Sequence, residues 1–234
     1  MSTNESNTEV IGQGVMSTGE DTRIFPDVAA CIDCGGCVVA CNRTWDMPRD
    51  EQRISISTML EGKQGATESA DVGGQRRIND PSAAMDNGQK PGETSVPMQC
   101  YHCENAPCVS VCPVDALVKK DDGFVDVRDD VCIGCQYCLS ACPFGAPQFP
   151  GSNDGAAEIF GTGGTMDKCT MCQDRQDVGK GPACAEECAT DAILVGTTEQ
   201  IADELDKRDS GTFFNDDAMK VVFGEDEASE AFGV

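Results

Sequence analysis

The segment Cys132-Ile133-Gly134-Cys135-Gln136-Tyr137-Cys138-Leu139-Ser140-Ala141-Cys142-Pro143 constrains this chain more than any other stretch. Three cysteines fall within seven residues, and a fourth follows after three more with a proline behind it. That is the ligand spacing of a cubane iron–sulfur cluster. A tight loop carrying Cys132, Cys135 and Cys138 can wrap one cluster, whereas the wider gap throws Cys142 onto the next segment, out of reach of the same metals. Cys142 therefore needs a second cluster, and the pattern predicts a partner group elsewhere.

Two other uses of cysteine fit less well. A zinc ion draws four ligands to one point, usually from two separated Cys-x-x-Cys pairs, while here three ligands run consecutively and the fourth is displaced. Disulfides belong to oxidising compartments and normally follow a secretory leader; residues 1–22 are polar and acidic with no apolar centre, so no signal peptide is expected.

The partner groups are present. Cys31, Cys34, Cys37 and Cys41 repeat the spacing, with Asn42 where the proline would stand. Cys100, Cys103, Cys108 and Cys112 precede Pro113 with a wider middle gap that holds Pro107. In Cys169, Cys172, Cys184 and Cys188 eleven residues separate the second cysteine from the third. All 16 cysteines fall into four groups of four, none left over, which implies four [4Fe-4S] clusters with all-cysteine ligation. By the displaced-ligand rule, Cys100, Cys103 and Cys108 share a cluster with Cys142, and Cys132, Cys135 and Cys138 with Cys112. In the outer groups, Cys31, Cys34 and Cys37 pair with Cys188, and Cys169, Cys172 and Cys184 with Cys41.

These groups set the expected architecture, an α+β fold of two ferredoxin-like two-cluster units, the inner inserted in the outer, with long irregular loops. Residues 1–22 read as a disordered tail. Residues 23–99 form the first half of the outer unit plus an insertion: a short strand at 23–28, an alternating edge strand at 53–59, and a Gly/Gln/Asp/Asn-rich surface loop over 61–97. Residues 100–150 form the inner unit, in which two short strands flank the turn Asp121-Asp122-Gly123 between ligand groups. Residues 151–196 complete the outer unit after a Gly-rich connector, and Ala192-Ile193-Leu194-Val195 mirrors Ala116-Leu117-Val118 at the same distance after its cysteine. Residues 197–234 hold a helix capped at Thr197, burying Ile201 and Leu205, and an acidic tail whose Phe213, Phe214, Val221, Val222 and Phe223 pack on the chain's own surface.

With 39% hydrophobic and 5% aromatic residues in 234, an apolar core is thin, so bound clusters act as the cross-links that complete it. A net charge of -24 repels nucleic acid and anionic membrane alike, and resembles surfaces adapted to high salt. No apolar run reaches the roughly eighteen residues of a spanning helix, so a cytoplasmic chain, or one held peripherally on the membrane by a partner, is expected. His102, the sole histidine, excludes a two-histidine cluster or haem within this chain. No P-loop, dinucleotide fingerprint or triad is visible, so no catalytic residue is assigned. Four one-electron centres without a substrate site make a conduit.

The order and spacing of the four groups, together with Trp45 after Cys41, Cys142-Pro143-Phe144-Gly145-Ala146-Pro147, Lys168-Cys169-Thr170-Met171-Cys172-Gln173-Asp174-Arg175, Val178-Gly179-Lys180-Gly181-Pro182-Ala183-Cys184 and Gly196-Thr197, carry a resemblance over about residues 24–205. The chain resembles the iron–sulfur (beta) subunits of molybdopterin or tungstopterin oxidoreductases, most of all that of formate dehydrogenase. The resemblance implies a non-catalytic subunit passing electrons from a pterin-containing catalytic subunit to a membrane cytochrome, a quinone-reactive subunit or a soluble acceptor. A dimethyl sulfoxide or polysulfide-type reductase subunit, or a free-standing polyferredoxin, are the alternatives. Asn42 and Ala189 depart from the prolines that follow many such fourth ligands, and the polar end after Glu225-Asp226-Glu227 departs from relatives that finish in a membrane helix.

Overall fold

The computed structural model describes residues 14–15, 21–48, 51–60, 93–150, 164–210 and 214–234, an α+β arrangement of short helices and two-stranded sheets. The expected surface loop over 61–92, the connector over 151–163, Phe213 and most of the N-terminal tail lie outside the described residues.

One strand pair joins the two ends of the cysteine-bearing region. β1 (Arg23–Pro26) runs antiparallel to β6 (Ile193–Gly196), Arg23 opposite Gly196 and Pro26 opposite Ile193, and every residue of both is buried. Ile24-Phe25 and Ile193-Leu194-Val195 are continuous apolar runs too short for helices, as strands covered on both faces are. The pairing extends past β1 through Asp27, whose N–H donates to the Ala192 carbonyl at 2.8 Å.

At the N-terminus the expectation of a disordered tail fails at Gly14 and Val15. Val15 is fully buried, bridges Val195 in parallel register, and the Gly14 carbonyl accepts from Val195 N at 2.9 Å. The free edge of β6 offers the hydrogen bond, and Gly181 offers the space, since a Cβ there would meet Val15 Cγ2 at 2.7 Å.

A second correction concerns the end of the insertion. β2 (Ile54–Leu60) pairs antiparallel with β3 (Glu93–Gln99), so residues 93–97 are strand rather than loop. Val96 and Met98 are the only large apolar residues there besides Pro97, and proline reads as a strand breaker; a two-stranded sheet, all edge, accommodates it opposite Ile56. Ile54, Ile56 and Val96 are buried beneath. The hairpin of β4 (Leu117–Lys119) and β5 (Val125–Val127) matches the expected strands, with Gly123 at φ 85° in the turn.

The C-terminal region also differs from expectation. α6 (Thr198–Lys207) is the predicted helix, closed by a reciprocal capping box between Thr197 and Gln200, with Ile201, Ala202 and Leu205 buried. The acidic tail beyond it is α7 (Asp216–Phe223) and α8 (Glu225–Phe232), and these helices belong to the core rather than its surface. Phe25 of β1 lies 5.3 Å from the rings of both Phe214 and Phe223 and 6.4 Å from Phe232 (centroid distances). The acidic residues that suggest a solvated tail occupy the first turns, where carboxylates favour the positive helix end, while Met219, Val222, Phe223 and Ala228 are fully buried.

Candidate metal centres

Each cysteine loop turns through left-handed backbone. Asp33, Gly35, His102, Gly134, Gln136, Met171 and Cys172 have φ between 50° and 72°. Glycine adopts this at no cost, but a side chain there costs about 1–2 kcal/mol and persists only where its surroundings demand it. At Gly35, Gln136 and Cys172 a short helix starts immediately after the left-handed residue. α1 (Gly36–Trp45) follows Gly35 and carries Cys37 and Cys41 on its buried face with Val38 and Ala40. Likewise α2 (Pro107–Ser110) holds Cys108, α3 (Tyr137–Ala141) holds Cys138, α4 (Gln173–Gln176) begins just after Cys172, and α5 (Ala183–Glu186), packed on α1, holds Cys184.

The structure brings together thiols from each of the four expected sets. Cys100, Cys103, Cys108 and Cys142 line one cavity, walled by Tyr101, Pro107, Phe144 and Ala146. Cys112, Cys132, Cys135 and Cys138 line a second, walled by Leu117, Val127, Phe149 and Met166. In the other two expected sets the thiols act on each other's ionisation. Burial pushes Cys37 up to about 12 and Cys31 to about 11, and in each the facing Cys188 and Cys34 add to the rise. Burial likewise pushes Cys41 up to about 11, with Cys172 adding to the rise, and holds Cys184 far above the ordinary thiol range, with Cys169, Cys172, Cys37 and Cys41 adding to it. In the cavities burial and then Cys100 and Cys142 lift Cys108 to about 12, and burial then Cys132 and Cys135 lift Cys138 to about 11.

The donor chemistry fits iron–sulfur cubanes. Burial and mutual repulsion both oppose ionisation, so four thiolates per quartet require a cationic core among them. All sixteen cysteines are free thiols. Backbone amides already point at several of them. Ala116 N donates to Cys112 Sγ at 3.3 Å and Ala192 N to Cys188 Sγ at 3.2 Å, the same relation in the two halves that the sequence repeat announces. Met166 N donates to Cys132 Sγ at 3.4 Å and Met171 N to Cys169 Sγ at 3.3 Å.

Three features escape the sequence reading. Arg53 donates to Asp167 at 2.7 Å, lies 5.4 Å over the Trp45 ring, and places its charge beside Cys41. Lys119 Nζ donates to the carbonyls of His102, Cys103 and Gly123 and pairs with Glu104, fixing the loop that carries Cys103. Helix α7 grips the same loop, since Glu104 N and Asn105 N donate to the Val222 and Val221 carbonyls. Long-range polar contacts of this kind leave no local pattern.

Family models described as "4Fe-4S dicluster domain" match residues 93–198 and 30–116. The sequence is 37% identical over 218 residues to the formate dehydrogenase iron–sulfur subunit of Wolinella succinogenes, covering 84% of this chain and 94% of the relative. It is 34% identical over 180 residues to the B subunit of the anaerobic dimethyl sulfoxide reductase of Escherichia coli, covering 76% and 74%. The thiosulfate reductase electron transfer subunit of Salmonella typhi is 35% identical over 175 residues, 74% of each polypeptide.

Proposed function

This polypeptide belongs to the iron–sulfur electron-transfer subunits of oxidoreductase complexes, which carry 4Fe-4S dicluster domains and are not catalytic on their own, and from that premise we propose that it holds four [4Fe-4S] clusters and relays electrons between a molybdenum- or tungsten-pterin subunit and an acceptor. The ligand sets are Cys31, Cys34, Cys37 and Cys188; Cys41, Cys169, Cys172 and Cys184; Cys100, Cys103, Cys108 and Cys142; and Cys112, Cys132, Cys135 and Cys138. The observation that carries the reading is that thiols from each of the four sets face one another, two sets lining cavities with mostly apolar walls. A bound cubane would accept and release one electron at a time.

The chain's own contribution is spacing, insulation and hydrogen bonding. Cys37 shares a buried cluster with Cys184, Cys100 with Cys169, and Cys132 and Cys138 pack in one apolar group with Cys103 and Cys108. That sequence of contacts supports a linear relay with the Cys31 quartet at one end and the Cys112 quartet at the other. Amide donors to Cys112, Cys132, Cys169 and Cys188 favour the more negative state of each sulfur. Pairing of β1 with β6 supports the inner unit, 100–150, as an insertion in an outer one built from 23–99 and 151–196.

Formate dehydrogenase is the favoured assembly, because the Wolinella succinogenes formate dehydrogenase subunit is matched over 94% of its length. A dimethyl sulfoxide-type reductase is the second reading, favoured by the Escherichia coli relative. Among the described residues no helix is long and apolar enough to cross a membrane. Purification of the native complex with metal analysis tests the proposal. Co-purification with a molybdenum- or tungsten-containing subunit, about sixteen irons per chain and formate-dependent reduction are expected. A lone iron-rich monomer would instead mark a free-standing polyferredoxin.

A further inference from the structure

Lys168 is buried to 3% exposure immediately before Cys169, yet its side chain turns to the cavity of the neighbouring quartet, which it lines together with Cys100, Cys103, Cys108 and Cys142. Its Nζ donates to two neutral acceptors, the carbonyls of Val125 and Cys169, the latter at 3.0 Å. The other cations around the clusters are neutralised: Arg53 by Asp167, Arg175 by Glu186, and Arg23 and Lys119 by the one carboxylate of Glu104. Among the described residues Lys168 has no carboxylate within 4 Å, and Asp126, which feels its charge from further off, is already paired with Lys120 at 2.8 Å. An ammonium buried without a counter-charge is heavily penalised, and two carbonyl dipoles do not replace a charge. The concentration of negative charge that its position offers is the thiolate set it faces.

We propose that Lys168 is the electrostatic partner of the cluster held by Cys100, Cys103, Cys108 and Cys142 and raises the reduction potential of that cluster above what its ligands alone would give. Reduction there adds one electron and one negative charge, with no bond made or broken and no proton taken; the electron arrives from one neighbouring quartet and leaves to the other. A fixed positive charge favours the state with the extra electron. Because the same nitrogen holds the Cys169 carbonyl, it lies at the junction between two quartets, and its charge selects which side of that junction holds the electron at rest. Lys168 is a positioning residue for charge rather than a ligand, and a staple between Val125 and Cys169 would need its hydrogen bonds but not its charge.

The inference rests on the four-cluster reading, and the test separates the two. Holoprotein carrying Lys168→Met, Lys168→Gln or Lys168→Arg is assayed for iron and titrated potentiometrically under magnetic resonance detection, with Cys108→Ala identifying the signal of this cluster. Iron well below about sixteen per chain in the unmodified protein overturns the four-cluster reading itself. With iron intact, Lys168→Met and Lys168→Gln are expected to lower the midpoint of that one cluster, by on the order of tenfold in its reduction equilibrium, which is ~59 mV for one electron; Lys168→Arg leaves it near the original. Unmoved midpoints with iron retained overturn the proposal. So does loss of the cluster's iron in both neutral variants, which would make Lys168 a structural anchor.

Discussion

Cys100 and Cys169, which belong to different quartets, lie in one buried group with Ala146, and Cys142 packs against it. The two cysteines are far apart in sequence and meet because the loop after β3 is laid against the loop that opens the last cysteine group. In the proposed relay this contact is the seam between its two halves. Cys169→Ala is therefore expected to remove about four irons, leave the Cys112 quartet loaded, and stop electron delivery across the chain. Iron analysis and the reduced-state magnetic resonance spectrum check it; an unchanged iron complement would overturn the ligand assignment.

The C-terminal helices hold the seam from behind. Phe223 is fully buried 5.3 Å from Phe25, and the neighbouring carbonyls of Val221 and Val222 receive the amides of Asn105 and Glu104 beside Cys103. Phe223→Ala leaves a cavity in the aromatic cluster and should cost about 3–5 kcal/mol. Denaturant unfolding of the holoprotein measures the loss, and the signal of the Cys100 quartet should bleach earlier than the others, because its loop loses the helix end that fixes it.

What the sequence makes legible follows from what is local. Cysteine spacing, the Asp122-Gly123 turn between β4 and β5, and the Thr197/Gln200 cap of α6 each need only a few neighbouring residues, and each is found where expected. β3 hides because Pro97 and a polar run imitate loop, and its partner β2 is separated from it by a long insertion. α7 and α8 hide because their carboxylates dominate composition while Met219, Val222, Phe223 and Ala228 carry the burial. Val15 hides for a simpler reason, a single apolar residue docked on a strand edge. At the centres, spacing reveals the thiols, whereas Arg53, Lys119 and Lys168 meet them only through tertiary contacts.

Removing iron tests how far the clusters serve as core. The sheets are two-stranded, a size only marginally stable alone, and the thin apolar walls around the quartets cannot replace the cross-links that the thiols make through metal. Chelation under reducing conditions should collapse far-ultraviolet circular dichroism in one transition along with the visible absorption. Retention of the helical signal after complete bleaching would show that the polypeptide core suffices.

Charge sets the last expectation. The net charge is -24, and one surface cavity is lined by Asp21, Glu199, Asp203, Glu227 and Glu230, with Thr198 Oγ1 donating to Glu227 at 2.7 Å. Glu199 and Asp203 are one helical turn apart on α6, as are Asp226 and Glu230 on α8, and like charges at that spacing destabilise by roughly 0.2–0.5 kcal/mol per pair. Screening by salt weakens such repulsion. Thermal stability of the holoprotein should therefore rise with sodium chloride, steeply below the range where the Debye length is about 10 Å. Glu230→Lys, which turns repulsion into attraction across the α6–α8 cavity, should stabilise the chain at low salt and flatten the salt response. A melting temperature indifferent to salt in both proteins would mean that the acidic surface is balanced elsewhere and is no adaptation to ionic strength.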